Sequence, residues 1–498
     1  MRSDAAALVS ELSRLVGSEH VLDASSASPY NRDSSNRRGV EGRADAVALP
    51  ASAQQVAAVF AWCYEHDVPI VPRGGGTGLT GGAVPTHGGL VLSLERLRRV
   101  RELEPGLWRM HVDAGVSTRD VQRLARENGL LFAPDPGAAE QSQIGGNVAT
   151  NAGGPHALKY GVTGSWVAGV EAVLAPGELV RVGGWAGKDV AGYDLKSLLV
   201  GSEGTLGVLT AVRLRLLPAP ELALALLVFL ADRDDGCAAI GEVLAAGLRP
   251  SALDFMDAPT LRALAPAYPP MRALERAGAP PRAAGPAHGA HARVPDDAGF
   301  ALLCELDGSR EDALAQRDAL LDVLSAQAVA VHEPLDARAL WRWRDGANPA
   351  VSAVRGGKVS EDVVFPRERL AEGLARFDAI AAAHRVRSCA WGHGGEGNVH
   401  ATVLVDPSRP QELDAADAVG EELFALVVEL GGSIAGEHGV GWHKRGRLAA
   451  QWHPRALDLH EAIKRAFDPK GLLNPQKKLA RYPARSLSTS GIHTRTSS

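Results

Sequence analysis

The chain has 498 residues, with 53 Lys and Arg against 58 Asp and Glu, for a formal net charge of −5. No basic excess points to a nucleic-acid partner. Apolar residues make up 45% and charged residues 22%, so the chain can bury a large core, and its length suits two to four domains of roughly 100–200 residues each.

Cys63, Cys237, Cys304 and Cys389 are scattered singly. That excludes a C-x-x-C redox pair and grouped iron–sulfur ligands. It fits a reducing cytoplasm, with one bridge in an exported chain as the alternative. Residues 1–17 mix charged and apolar positions and lack the apolar segment of a signal peptide. The most apolar run, 222–230, is about half the length of a membrane span and reads as a buried strand, so no transmembrane segment is expected. Peripheral attachment at the inner face of a membrane stays open.

In chain order, residues 4–16 read as a short amphipathic helix and 24–44 as a polar loop. A strand at 46–49 precedes a helix at 52–66, whose apolar positions include Val56, Val59, Phe60 and Cys63. A strand at 69–72 then runs into glycines. Strands at 89–93, 110–113, 166–174 and 206–216 follow, interrupted by a helix at 117–128. Pro218-Ala219-Pro220 marks a domain boundary. Beyond it, strands at 222–230, 251–256, 300–306 and 328–332 are joined by helices that include 234–246 and 310–326. This is an α+β layout of ferredoxin-like kind, with helices on one face of an antiparallel sheet.

Residues 265–297 break the pattern. They are rich in Ala, Pro, Gly and His and read as a mobile surface insertion. His288 and His291 lie inside it and offer a minor metal alternative. Residues 484–498 read as a disordered tail. The domains expected are an N-terminal helix and loop (1–41), a glycine-rich domain (42–220), a second domain (221–455), a closing segment (456–483) and the tail.

Three glycine-rich stretches carry the first functional signal. Pro72-Arg73-Gly74-Gly75-Gly76-Thr77-Gly78-Leu79-Thr80-Gly81-Gly82 has six glycines in nine positions after a strand. Such a backbone can take positive φ, approach a ligand closely and form a nest of amides for phosphate oxygens. It is neither a P-loop nor a helix-opening G-x-G-x-x-G with a downstream acid. A glycine turn packed on a sheet is the competing reading. A second stretch follows Asp135-Pro136-Gly137 and runs from Ile144-Gly145-Gly146 through Ala149-Thr150-Asn151-Ala152-Gly153-Gly154. The third is Gly201-Ser202-Glu203-Gly204-Thr205-Leu206-Gly207. Three such stretches suit a long dinucleotide lying in a groove.

With these motifs, residues 42–220 resemble the FAD-binding domain of the vanillyl-alcohol oxidase and p-cresol methylhydroxylase superfamily. The rest of the chain narrows the resemblance to the glycolate oxidase large-subunit, D-lactate dehydrogenase and D-2-hydroxyglutarate dehydrogenase group. The resemblance implies a two-subdomain FAD-binding domain followed by a ferredoxin-like α+β substrate domain. It places the pyrophosphate at Gly74–Gly82, including Thr77, Gly78 and Gly81, with Pro72 and Arg73 also binding the cofactor. Ser142, Gly145, Gly146 and Ala149–Gly153 would line the flavin and ribityl chain, and Pro136 and Gly161 would also bind the cofactor. Gly204 and Val208 would meet an edge of the cofactor, and Asn474, in Asn474-Pro475, would return to the flavin. Relatives with covalent flavin often attach it through a histidine in the first loop. That position is Thr77 here, so non-covalent FAD is expected.

A second constellation is Trp391-Gly392-His393-Gly394-Gly395-Glu396-Gly397-Asn398-Val399-His400. Gly394–Gly397 would form a four-residue hairpin turn, pairing His393 with Asn398 and setting His400 diagonally on the same face. Two imidazoles so placed can share a metal. Gly436-Glu437-His438-Gly439 adds a carboxylate and another imidazole, with the two glycines bending the chain. Two His and one Glu form a common catalytic ligand set. Ordinary polar residues in a glycine-rich loop are the competing reading.

The resemblance assigns His393, His400 and Glu437 as ligands of a divalent metal, zinc foremost, and His438 as the base. The implied reaction is oxidation of a D-2-hydroxy acid. Arg344, in Trp341-Arg342-Trp343-Arg344, fits the family's carboxylate-binding position, and Arg342 reads as solvated or stacked. Lys358 is a second candidate. Some relatives carry a lysine two residues before the aspartate matching Asp362, where this chain has Ser360. That displacement favours short monocarboxylates over dicarboxylates. Without iron–sulfur cysteines, electrons must leave to oxygen, a quinone, an electron-transfer flavoprotein or a separate iron–sulfur subunit. A second copy of the chain stays open as a partner.

Overall fold

The computed structural model describes residues 5–35, 40–274 and 292–480. His288, His291 and the tail at 484–498 lie outside the described residues. The chain divides into two compact units. The first takes residues 1–153, 161–219 and 437–498; the second takes 154–160 and 220–436.

The first unit holds two main sheets. One has the order Val21–Asp23, Ala46–Ala48, Leu90–Ser93, Ile70–Arg73, with its last three strands parallel. The crossover helix Ala53–Glu65 starts where the Ser52 side chain accepts from the Gln55 amide, satisfying an orphan donor of the first turn. Val56, Val59, Phe60 and Cys63 are buried along it, as the helical spacing predicts. The other sheet is antiparallel, in the order Val100–Glu104, Arg109–Asp113, Val208–Arg215, Val167–Leu174, Glu178–Gly183.

The C-terminal segment closes onto the first sheet. The Ile70 amide donates to Leu472 O, and the Asn474 amide donates to Ile70 O. Lys464 is buried and donates to Thr205 O, Leu473 O and Asp468 Oδ2. Asp468 in turn accepts from the Gly471 and Leu473 amides. A buried ammonium with three acceptors is a satisfied charge, so this turn is firmly fixed.

The second unit is built on one antiparallel sheet of eight strands. Their order is Met271–Ala273, Ala328–Pro334, Leu222–Leu230, Phe300–Gly308, Ala252–Asp257, Arg387–Gly392, Asn398–Val405, Gly357–Val364. The four strands from 222–230 to 328–334 take the order four-one-three-two, with helices Arg233–Ala245 and Arg310–Val323 between them. That is the expected ferredoxin-like arrangement. The later strands 357–364, 387–392 and 398–405 repeat the one-three-two part in mirror sequence. Their connecting helix is Leu370–Ala383, and Pro410–Glu429 follows. The two halves meet edge to edge, where Met256 pairs with Trp391.

The stretch from 265 onward, read as patternless, begins with structure. Met271–Ala273 pairs with Ala328–Pro334, and Met271 is fully buried. One large apolar residue, packed in the cluster that includes Leu264, fixes it there. Residues 275–291 lie outside the described residues. Among the described residues, no helix is long and apolar enough to cross a membrane. Leu222–Leu230 is a strand flanked on both sides within the sheet. All four cysteines are free thiols, so the single-bridge alternative is not realised.

Candidate active site

The first unit brings the three glycine stretches together. Gly75 lies so close against Gln141 O that a Cβ there would clash, and a Cβ at Gly204 would meet Pro72 at 3.3 Å. The Glu203 amide donates to Ala149 O at 2.6 Å. Asn474 Nδ2 donates both to Gly82 O (2.9 Å) and to Glu203 O (2.8 Å). The second stretch is not an extended loop. Residues Ile144–Thr150 form a helix whose Ile144, Gly145, Asn147 and Val148 are buried and whose C-cap, Asn151, is left-handed at φ 54°. Its periodicity is hidden in the sequence because glycine and alanine occupy three of its seven positions.

The residues of this cradle suit a dinucleotide. A Cβ at Gly82 or Gly146 would meet no atom within 4 Å, and neither glycine has positive φ. Neither packing nor backbone conformation therefore requires glycine at these positions, whereas close approach of a ligand would. Beside Gly74, the buried Gln143 has its Oε1 without a hydrogen-bond partner among the described residues. An orphaned buried acceptor is costly and marks a place for a donor. Other expected contacts are engaged by the protein: Ser142 Oγ is 2.7 Å from Thr118 Oγ1, and the Val208 side chain sits in the apolar core. Gly161 turns the chain at φ 75°.

The expected hairpin is present in the second unit. Strands Arg387–Gly392 and Asn398–Val405 pair with Trp391 opposite His400, and the Asn398 amide donates to His393 O. The His393 and His400 rings lie 5.7 Å apart at 83°. Met256, Trp391, His400 and Asp362 are directly paired across four strands, so they share one face. Asp362 is buried, accepting from Asn398 Nδ2 at 2.7 Å and from the Gly436 amide at 2.9 Å. Its Oδ1 is 4.0 Å from His400 Nδ1.

Asp254 is the residue that reading the sequence missed. One of its oxygens lies 2.7 Å from His393 Nδ1, and the other accepts from Arg344 Nε at 2.5 Å. Burial by itself would raise this carboxyl. Arg344 and then His393 outweigh burial and bring it down to about 2. The group is therefore an ionised acceptor, so His393 Nδ1 carries a hydrogen toward it, and in the neutral imidazole Nε2 is the lone-pair nitrogen. A carboxylate buried in the otherwise apolar stretch Leu253 to Met256 was the available signal, because such a charge must have partners.

Arg344 is buried on the helix Ala337–Asp345, whereas Arg342 is exposed beside Asp336. The helix is pinned where Trp341 Nε1 donates to Glu305 Oε2 at 2.6 Å. Lys358 stands on the face of Asp362, its ammonium donating to Ser360 Oγ (2.6 Å) and lying 4.9 Å from the centre of the Trp391 ring. Ser360 Oγ is 2.8 Å from Thr402 Oγ1. Glu437 and His438 belong to the first unit, in a bent segment where His438 Nε2 is 3.7 Å from Glu437 Oε1.

Residues 219–478 match the family profile described as FAD linked oxidases, C-terminal domain, and residues 44–183 match an FAD binding domain. The chain belongs to the FAD-linked oxidases. This FAD-linked oxidase is 37% identical over 437 residues to the glycolate oxidase subunit GlcD of Bacillus subtilis (strain 168), covering 88% of this chain and 89% of that one. It is 34% identical over 452 residues to the D-2-hydroxyglutarate dehydrogenase of Xanthomonas citri pv. viticola, covering 88% and 90%. Its fold matches a crystal structure of p-cresol methylhydroxylase with substrate bound. The TM-score is 0.76 at 20% identity, over 95% of this chain and 96% of that one. The chain is thus an enzyme, an FAD-linked oxidoreductase of the group that contains glycolate oxidase subunits and the D-lactate and D-2-hydroxyglutarate dehydrogenases.

Proposed function

We propose that this enzyme oxidises a short D-2-hydroxy acid, of the D-lactate or glycolate class, to the 2-oxo acid. The observation that carries the reading is Asp254, which holds a guanidinium and a tautomerically fixed imidazole on its two oxygens. In this reading Arg344 takes the substrate carboxylate, because a planar fork matches it. His393 and His400, with Glu437, hold a divalent metal, zinc foremost, and His438 accepts the hydroxyl proton. When bound, the metal would lower the hydroxyl pKa and the flavin would accept the hydride.

Thr77 offers no imidazole for covalent attachment, so FAD is held by contacts alone. The ammonium of Lys358 is drawn onto Ser360 and the Trp391 ring, which supports a monocarboxylate. Electrons then pass to a separate acceptor, since three of the four cysteines are buried and none are grouped.

The test is an anaerobic screen of flavin absorbance with paired D- and L-lactate, glycolate, and D- and L-2-hydroxyglutarate. Bleaching by D-lactate or glycolate is the expected result. Bleaching only by D-2-hydroxyglutarate would replace the substrate class. No bleaching by any 2-hydroxy acid would leave a flavin-bearing, non-catalytic subunit and sink the proposal.

A further inference from the structure

We infer that Glu203 is a positioning residue for His438, an inference that rests on the reading of His438 as the base. Glu203 lies in the third glycine stretch in a left-handed conformation, φ 53°, and is buried. A non-glycine residue there is uncommon, and a buried carboxylate needs donors. Both its oxygens are used. Oε1 accepts from the Val440 amide at 3.0 Å and Oε2 from the Gly441 amide at 2.6 Å. Lys478 Nζ adds an ion pair at 3.1 Å. The carboxylate thus grips the backbone two and three residues beyond His438.

The same segment is clamped from the first glycine loop. Thr80 O accepts from the Trp442 and His443 amides, and Thr80 Oγ1 is 3.3 Å from His438 O. Gly439 turns at φ 79°, and a Cβ there would lie 3.1 Å from the Glu203 carboxyl carbon. Glycine is required at 439 both by conformation and by the approach of this carboxylate. Through its own backbone Glu203 is tied to the helix Ile144–Thr150 at Ala149 O, and to Asn474. One residue therefore sets the segment carrying His438 against the backbone of the flavin cradle, within a single compact unit. Its carboxylate accepts from the backbone amides of Val440 and Gly441, so its effect on His438 passes through backbone position.

A double-mutant cycle in single-turnover flavin reduction tests this, using FAD-loaded full-length enzyme and whichever 2-hydroxy acid of the screen bleaches the flavin. Glu203→Gln puts an amide N–H against a backbone N–H and breaks one of the two bonds. In the wild-type background it should slow reduction roughly 10- to 100-fold, the scale of a misplaced catalytic group. In the His438→Ala background it should change the rate by less than about two-fold, because the residue it positions is gone. FAD content should stay at wild-type level, and trypsin should cut faster after Lys444, Arg445 and Arg447. Equal losses in both backgrounds, or no loss in the wild type, would overturn the inference. Should Glu203→Gln fail to retain FAD, Gly439→Ala strikes the same contact from the other side. It must then slow reduction in the wild-type background alone, and a wild-type rate for it would overturn the inference. If His438→Ala itself reduces at the wild-type rate, the base assignment fails, and that is a separate result.

Discussion

The carboxylate of Asp254 lies 2.7 Å from Nδ1 of His393, and its second oxygen is already committed to Arg344. A carboxylate behind an imidazole fixes the tautomer and ring orientation that a metal ligand needs. Asp254→Asn should therefore weaken divalent-metal affinity by about 10- to 100-fold, the usual scale for loss of such a partner. Competition with a chromophoric chelator measures it directly. Unchanged affinity would separate His393 from the metal.

The same substitution has a pH signature. It removes the carboxylate charge paired with the buried Arg344 Nε, at a cost of about 3–5 kcal/mol. The folded pKa of Asp254 is depressed, to about 2 from an ordinary 3.8. Its contribution is thus fully present above about pH 4 and is lost as pH falls through about 2. Denaturant midpoints of wild type and Asp254→Asn should differ most at pH 7 and draw together in acid. A gap that widens in acid would contradict this charge assignment.

Neighbouring glycines of the helix Ile144–Thr150 should respond in opposite ways. A Cβ at Gly145 would lie 2.6 Å from the Ala114 Cβ, whereas one at Gly146 would meet nothing. Gly145→Ala should destabilise the protein with or without FAD. Gly146→Ala should leave apoprotein stability level or raise it by up to about 1 kcal/mol, since alanine suits a helix better, yet raise the Kd for FAD. Thermal melts of apo and FAD-loaded forms check both. Wild-type FAD affinity in Gly146→Ala would move the cofactor away from this helix.

Part of this site was legible in the sequence and part was not, for physical reasons. The hairpin register that sets His393 opposite Asn398 follows from the strand period of two and a four-residue turn. The order of the first four strands of the second unit follows from their alternation with helices. The helix Ile144–Thr150 was hidden because its small residues carry no apolar stripe. Asp254 and Glu203 were missed for another reason. Each lies far along the chain from its partners, 139 residues from His393 in one case and 237 from Val440 in the other. A single sequence gives the need of a buried carboxylate for donors but not their identity.

Removing bound metal should act on the same step as removing a ligand. Dialysis against a strong chelator is expected to leave FAD in place and abolish flavin bleaching, with zinc restoring it. Full bleaching in metal-stripped enzyme would favour a metal-free alcohol oxidase. His400→Ala should mimic the stripped enzyme without rescue by zinc.

The base assignment is tested by His438→Ala. A proton acceptor acts only in the chemical step, so its loss should lower the rate of flavin reduction by roughly 10²–10⁴-fold. Substrate affinity should change far less, because the proposed partner of the substrate carboxylate is Arg344 and not His438. Metal and FAD content should remain at wild-type levels. Stopped-flow absorbance under anaerobic conditions gives both the limiting rate and the apparent Kd. A limiting rate left at the wild-type value in His438→Ala would assign the proton to another group, and a raised Kd alone would leave His438 a binding role.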